Sequence, residues 1–177
     1  PHEFSLNAYR YIINDGAIFR GLKNSLFVTI VGTLVNMAFT TTFAYPLSRR
    51  YLKGRNFFMN MVIVTMLFSG GMIPGYLLIS GLGMLDSYAA LMLPGAISVF
   101  NMVIVKNFFQ EIPTELEEAA KIDGCSDIGI FFKIILPLSK PVLASISLFY
   151  AVGHWNDYFS AMLYIRDPNK EVVQIAL

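Results

Sequence analysis

Charge vanishes from this chain for long stretches and returns in short bursts. No charged residue lies between Lys23 and Arg49, and none between Arg55 and Asp86. A helix crossing roughly 30 Å of hydrocarbon needs about 20 mostly apolar residues. On that measure the pattern predicts helical spans at about 24–47, 57–80, 87–109 and 141–165. The first carries Thr40, Thr41 and Thr42, whose hydroxyls bond back to helix carbonyls and are tolerated in lipid. The second contains "SGGMIPGY", Ser69 to Tyr76, whose glycines and Pro74 predict a broken or kinked helix. Irregular backbone at membrane depth must be covered by protein or line a cavity, which makes Gly70, Gly71 and Pro74 candidates for a translocation pathway. Pro94-Gly95 predicts a bend in the third span.

Between the third and fourth spans the pattern changes. The stretch 110–140 is polar and longer than a connection between adjacent spans needs. Pro113 ends the incoming helix, and Thr114-Glu115-Leu116-Glu117 fits a capping box with Thr114 as the cap. Glu115, Glu117 and Glu118 lie in the first turn, where negative charge suits the helix dipole. Leu116, Ala119, Ala120 and Ile122 recur at helical spacing, a narrow face whose alanines admit a close neighbour. Gly124 predicts the helix end, and a second helix runs from Ser126 or Asp127 to Leu136, ended by Pro137. Two short helices joined by a glycine make a compact knob. Such a pair can lie on a membrane surface without a partner, but helices of that kind favour Lys and Arg on the polar face, and this one begins acidic.

Composition sharpens the class. The chain is 55% hydrophobic and 14% charged, against about 25% charged in soluble domains, which points to a membrane protein. A net charge of +1 gives no basic field for nucleic acid. The single cysteine, Cys125, excludes an internal disulfide, and His2 and His154 are too far apart to suggest a ligand set. No G-x-x-x-x-G-K-[ST] loop occurs, so the chain is expected to bind no ATP itself. Arg49, Arg50, Lys53 and Arg55 crowd one loop, and Lys106, Lys121, Lys133 and Lys140 lie in or beside the 110–140 loop, while "SGLGMLD" has no basic residue. The positive-inside rule then makes both basic loops cytoplasmic, although Arg10, Arg20, Lys23, Arg166 and Lys170 weaken the bias. The opening "PHEFSLNAYRYIINDG" reads as a loop approaching a membrane, and "EVVQIAL" stops without a cap. Both ends are expected to be cut, with another span beyond each.

Glu118-Ala119-Ala120, then Gly124, Ile134 and Leu136-Pro137, meet every spacing of a known signature. The stretch resembles the cytoplasmic loop of the integral membrane subunits of binding-protein-dependent ABC importers. "AYPLSRRYLKGRN" and "ILPLSKPVLA" look like the carbohydrate (maltose-type) branch, and "LFSGGMIPGYLLI" and "AVGHWNDYF" like its oligo- and polysaccharide subgroup, which includes alginate importers. The resemblance implies an all-α, polytopic transmembrane bundle of the type I importer kind, one permease domain over 1–177 with a coupling-helix loop at about 110–140. It implies a multi-pass place in the bacterial inner membrane. The implied partners are a second permease subunit, two ATP-binding subunits and an extracytoplasmic solute-binding protein, with ATP and Mg on the ATPase and oligosaccharide as cargo. Carried over by position, Glu117, Glu118, Ala119, Ala120, Asp123, Gly124, Ile134, Leu136 and Pro137 are the expected ATPase-coupling residues. The alternatives are a permease of the same family for another solute, or a carrier driven by an ion gradient.

Within the fourth span, Asp157 lies about 24 Å along the helix from Pro141 at about 1.5 Å per residue. A carboxylate at mid-membrane costs about 2.5–3.5 kcal/mol. Either Asn156 and Asp157 face the pathway and bond sugar hydroxyls, with Trp155 or Tyr158 stacking on a ring, or they belong to an outer aromatic belt. Tyr150 joins the pathway candidates. His154 is read as a proton relay or as a satisfied hydrogen-bonding residue, and Asn36 and Asn101 as interhelical bonds.

Overall fold

The computed structural model describes residues 16–176; the opening segment with His2 and Arg10, and the final Leu177, lie outside the described residues. All regular structure among the described residues is helical. The helices are α1 (Ala17–Ser48), α2 (Arg55–Leu67), α3 (Met72–Gly81), α4 (Ala89–Met92), α5 (Val99–Glu111), α6 (Thr114–Ile122) and α7 (Asp127–Ile130). A π-helical stretch, Phe131–Ile135, leads into α8 (Leu136–Leu138), followed by α9 (Lys140–Asn156), α10 (Tyr158–Tyr164) and α11 (Val173–Ala176).

The expected spans are built from these pieces, and only α1 is by itself long and apolar enough to cross a membrane. The run 57–80 breaks where the glycines predict: α2 ends at Leu67, Phe68 is extended, and Gly71 takes φ +88 before α3 begins. Pro74 sits in the first turn of α3, where its missing N–H costs nothing. The run 87–109 is interrupted more deeply than a bend, because α4 is four residues long and α5 starts afresh at Val99, capped by Ser98 through the Asn101 N–H. The run 141–165 divides at Asp157.

The described residues form two compact units: 16–33, Gly71–Pro94 and 150–176 make one, Leu34–Gly70 and Gly95–Phe149 the other. The first has a core of Val28, Leu91, Met92, Ala161, Ile165 and Val172. Side chains of α1 tie down the segment before α11: Asn24 Nδ2 donates to the carbonyls of Asn169 (2.9 Å) and Glu171 (2.8 Å), and Ser25 Oγ accepts from Val173 N (2.9 Å). Asp86, in the left-handed region at φ +57, accepts from the amides of Arg166 (3.1 Å) and Asp167 (3.0 Å). Asp is among the few residues that adopt this conformation readily.

The second unit buries Ala44, Leu47, Met102, Val105, Phe109, Ile112, Ile130, Phe131, Ile135 and Ile146. Asn36 is buried and donates to the Gly95 carbonyl at 2.6 Å, the satisfied polar contact its place in an apolar span requires. By contrast α2 buries no residue, and Phe57, Phe58, Met61, Val64 and Leu67 stand exposed on it. An apolar surface of that kind suits lipid or protein rather than water.

Candidate functional site

The polar knob belongs entirely to the second unit. Pro113 occupies the cap position of α6, and no side chain caps the helix there. This corrects the expected capping box: Thr114 is the first helical residue, and Glu117 does not reach back to the cap. Glu117 is buried at 4% exposure and forms an ion pair with Arg49, itself 4% exposed just beyond α1. Taking the two charges out of water is costly, and their pairing offsets part of that cost. Burial pushes the Glu117 carboxyl up, against the downward pull of Arg49.

The end of α6 shows why a glycine stands at 124. The Cys125 N–H bonds the Ala120 carbonyl at 2.8 Å and the Gly124 N–H bonds the Lys121 carbonyl at 3.0 Å. These are the two bonds of a Schellman motif, which places Gly124 in the left-handed region at φ +78. Ser126 then caps α7, accepting from Gly129 N at 3.2 Å. Gly129 has a packing reason, since a Cβ there would stand 2.8 Å from Cys125 Sγ.

The second helix continues past its expected end. It runs through Pro137 to Leu138 before turning by 82° at the buried Ser139 into α9. The π-helical turn explains the difference: Leu136 N–H reaches back to Phe131 O, and the widened turn carries a residue that has no N–H to donate. Phe131 also anchors the base of the knob, 5.0 Å from the Tyr45 ring, with Phe109 6.4 Å from Tyr45 on another side.

A groove of about 530 Å³ opens on the knob, lined by Ala120, Asp123, Gly124, Cys125, Ser126, Gly129, Lys133 and Ile134. Four of the expected coupling residues therefore share one concave surface. Glu118 and Ala119 are exposed on α6, as is Ile122 at 86%. Leu136 and Pro137 lie further along, beyond the groove lining. Glu117 is the exception, facing the interior. Sequence reasoning assigned Arg49 only to a loop of cations that sets topology, and gave Gly129 no reason at all.

The pathway candidates are scattered over separate junctions. Gly70 and Gly71 are exposed at the break before α3, and Pro74 follows inside it. Tyr150 is buried in α9. Trp155 accepts from Gln174 Nε2 through its carbonyl, and Asn156 is the exposed last residue of α9. Asp157 caps α10, its Oδ1 accepting from Ser160 N at 3.0 Å. His154 lies against Gly32, where a Cβ would stand 2.6 Å from Nε2, and it hydrogen-bonds the Gly32 backbone.

The profile of the family described as binding-protein-dependent transport system inner membrane component matches residues 40–175, which takes in the whole knob. The chain belongs to this family. As an inner membrane component of that kind it is similar to the polygalacturonan/rhamnogalacturonan transport system permease protein YtcP of Bacillus subtilis (strain 168), at 58% identity over all of this chain and 62% of that protein. Protein LplC of the same organism is 57% identical over all of this chain and 60% of its own length. Among solved structures, a bacterial ABC transporter involved in the import of the acidic polysaccharide alginate superposes with a TM-score of 0.93 at 35% identity, covering 99% of this chain and 62% of that one. The inner membrane component described here thus spans about three-fifths of the length of these relatives.

Proposed function

We propose that the chain is a multi-pass permease subunit of an ATP-driven importer of oligosaccharides, acidic ones among them, delivered by an extracytoplasmic binding protein. The observation that carries this reading is the knob: a Schellman turn holds two short helices around an open groove, and the signature positions Ala120, Gly124 and Ile134 line it together with Asp123. Relatives named for polygalacturonan/rhamnogalacturonan transport and for alginate import support the cargo class. In this reading a separate ATPase holds ATP and Mg and closes around the knob, and a second permease chain completes the pathway. A motor of this sort works only by favouring one state of the spans over the other, so its grip on the knob must differ between states. An ion-gradient carrier would need a mid-span titratable group free to exchange protons. In the fourth span the titratable groups Asp157 and His154 are engaged in a helix cap and in a close helix contact.

The test is made on the full-length protein with its partners in proteoliposomes. Glu118→Ala removes an exposed carboxylate, and Gly124→Val forces a β-branched residue to φ +78, a strain of about 1–3 kcal/mol. Both variants are expected to reduce retention of the ATPase and the hydrolysis stimulated by loaded binding protein. Retention and stimulation equal to wild type in both would remove the knob from the motor interface.

A further inference from the structure

The groove takes Ala120 of α6 and the turn that follows it. Another face of α6 points at the end of α1, and there the geometry is more specific than packing requires. Glu117 and Lys121, four residues apart and therefore stacked on one side of the helix, meet Arg49 and Tyr51. The Glu117–Arg49 pair is buried, whereas Lys121 lies 4.8 Å from the centre of the Tyr51 ring and 3.1 Å from Asp127 in an exposed setting. Of the basic residues that follow α1, Arg50 and Lys53 face solvent, Arg55 is half-buried and Arg49 is buried. A guanidinium taken out of water is costly unless paired, and Glu117 is its ion-pair partner. The other two nitrogens, Nε and Nη2, are buried without a hydrogen-bond partner, so Glu117 is the one anionic group that compensates this cation.

The arrangement is anchored behind Arg49 as well. Its guanidinium carbon lies 4.8 Å from the centre of the Tyr45 ring, which itself meets Phe131. The carbonyls that end α1 are held in turn, Leu47 O by Arg55 Nε at 2.9 Å and Ser48 O by Gln110 Nε2 at 3.2 Å. The end of α1 is therefore fixed to α2, α5 and α6 by directional polar contacts in addition to the apolar packing of Ala44, Tyr45 and Leu47.

We propose that Arg49 and Glu117 form an internal strut through which movement of the docking helix α6 enters the spans at the end of α1. They are positioning residues, acting on the transport cycle without touching the ATPase. The inference rests on the docking reading above and adds to it where the motion goes.

The experiment uses the complete transporter in proteoliposomes and reads two quantities separately: ATPase retained per permease, and the ratio of ATP hydrolysis with and without loaded binding protein. Three variants carry it: Glu117→Gln, the charge exchange Arg49→Glu with Glu117→Arg, and the apolar double change Arg49→Met with Glu117→Met. The last leaves no stranded charge, and replacing a buried ion pair by apolar residues of similar size is commonly tolerated, so the answer does not depend on whether Glu117→Gln folds. Expected are full retention in all three, and a stimulation ratio lowered roughly 3- to 30-fold in Glu117→Gln and in the double methionine variant. The charge exchange should recover most of the ratio. A double methionine variant with wild-type stimulation overturns the strut, and so does stimulation lost only in step with lost ATPase. Failure of the docking reading has a different signature, since it appears in Glu118→Ala and Gly124→Val and leaves these variants unaddressed.

Discussion

Replacing Gly32 with alanine would put a methyl group where the His154 ring already stands. The added Cβ would lie 2.6 Å from Nε2, 2.8 Å from Cε1 and 2.9 Å from Cδ2, well inside contact distance. Two responses are open. The ring can swing away and give up its hydrogen bond to the Gly32 backbone, which costs about 1 kcal/mol. Alternatively α1 and α9 separate, an overpacking cost of about 1–3 kcal/mol. Alanine returns up to about 1 kcal/mol of helix propensity, so the net expectation is a loss of up to about 2 kcal/mol. Close approach of helix backbones at small residues is the usual basis of packing in membranes, where no hydrophobic force drives helices together. The assay is the thermal midpoint of the assembled full-length protein in detergent. At roughly 2–4 °C per kcal/mol for a domain of this size, the loss is up to several degrees. In a His154→Ala background the obstacle is gone, and the same Gly32→Ala change is expected to be neutral or stabilising by up to about 1 kcal/mol. An equal drop in both backgrounds, or none in either, would refute the contact as the reason for the glycine.

Asp157→Ala removes the α10 cap and is expected to cost about 0.5–2 kcal/mol, while Asp157→Asn keeps an accepting oxygen and most of the stability. Sugar uptake and thermal midpoint should follow the cap and not the charge, and an Asn variant as damaged as the Ala variant would point to the carboxylate itself. Asp86 offers a pH test. Amide hydrogen bonds from Asp167 and Arg166, helped by Lys170, hold its carboxyl below the ordinary 3.8. A depressed folded-state value means stability that is present above the unfolded value and lost as pH falls through the folded one. Local opening of the Arg166 and Asp167 amides, read by hydrogen exchange, should therefore grow below about pH 4, and Asp86→Asn should flatten that dependence.

The knob was the most legible part of the chain. A polar stretch between apolar runs, with proline before it, glycine in its middle and acids in its first turn, specifies two helices by local chemistry alone. The turn at Gly124 and the cap at Ser126 followed from residues within five positions of each other. The break at Gly70-Gly71 was legible for the same reason. The extent of the helical segments was less so, because whether Pro137 ends a helix depends on a π-turn that opens around it.

Sequence by itself determined the class of the protein, the positions of its apolar runs and the place of the polar knob, since each rests on composition or on neighbours in the chain. Only the tertiary structure decided which side chains do what. Glu117 reads as one of three equivalent acids in a helix turn until Arg49, far away in sequence, buries it. His154 reads as an isolated titratable group until Gly32 brings α1 against it, and Asp157 as a membrane carboxylate until a broken helix gives it an end to cap. In each case the deciding partner is set by long-range packing, or by a break in a helix whose apolar pattern continues across it. The hydrophobic pattern records which surfaces must be covered, while the identity of the group that meets each polar atom is settled only when the helices come together.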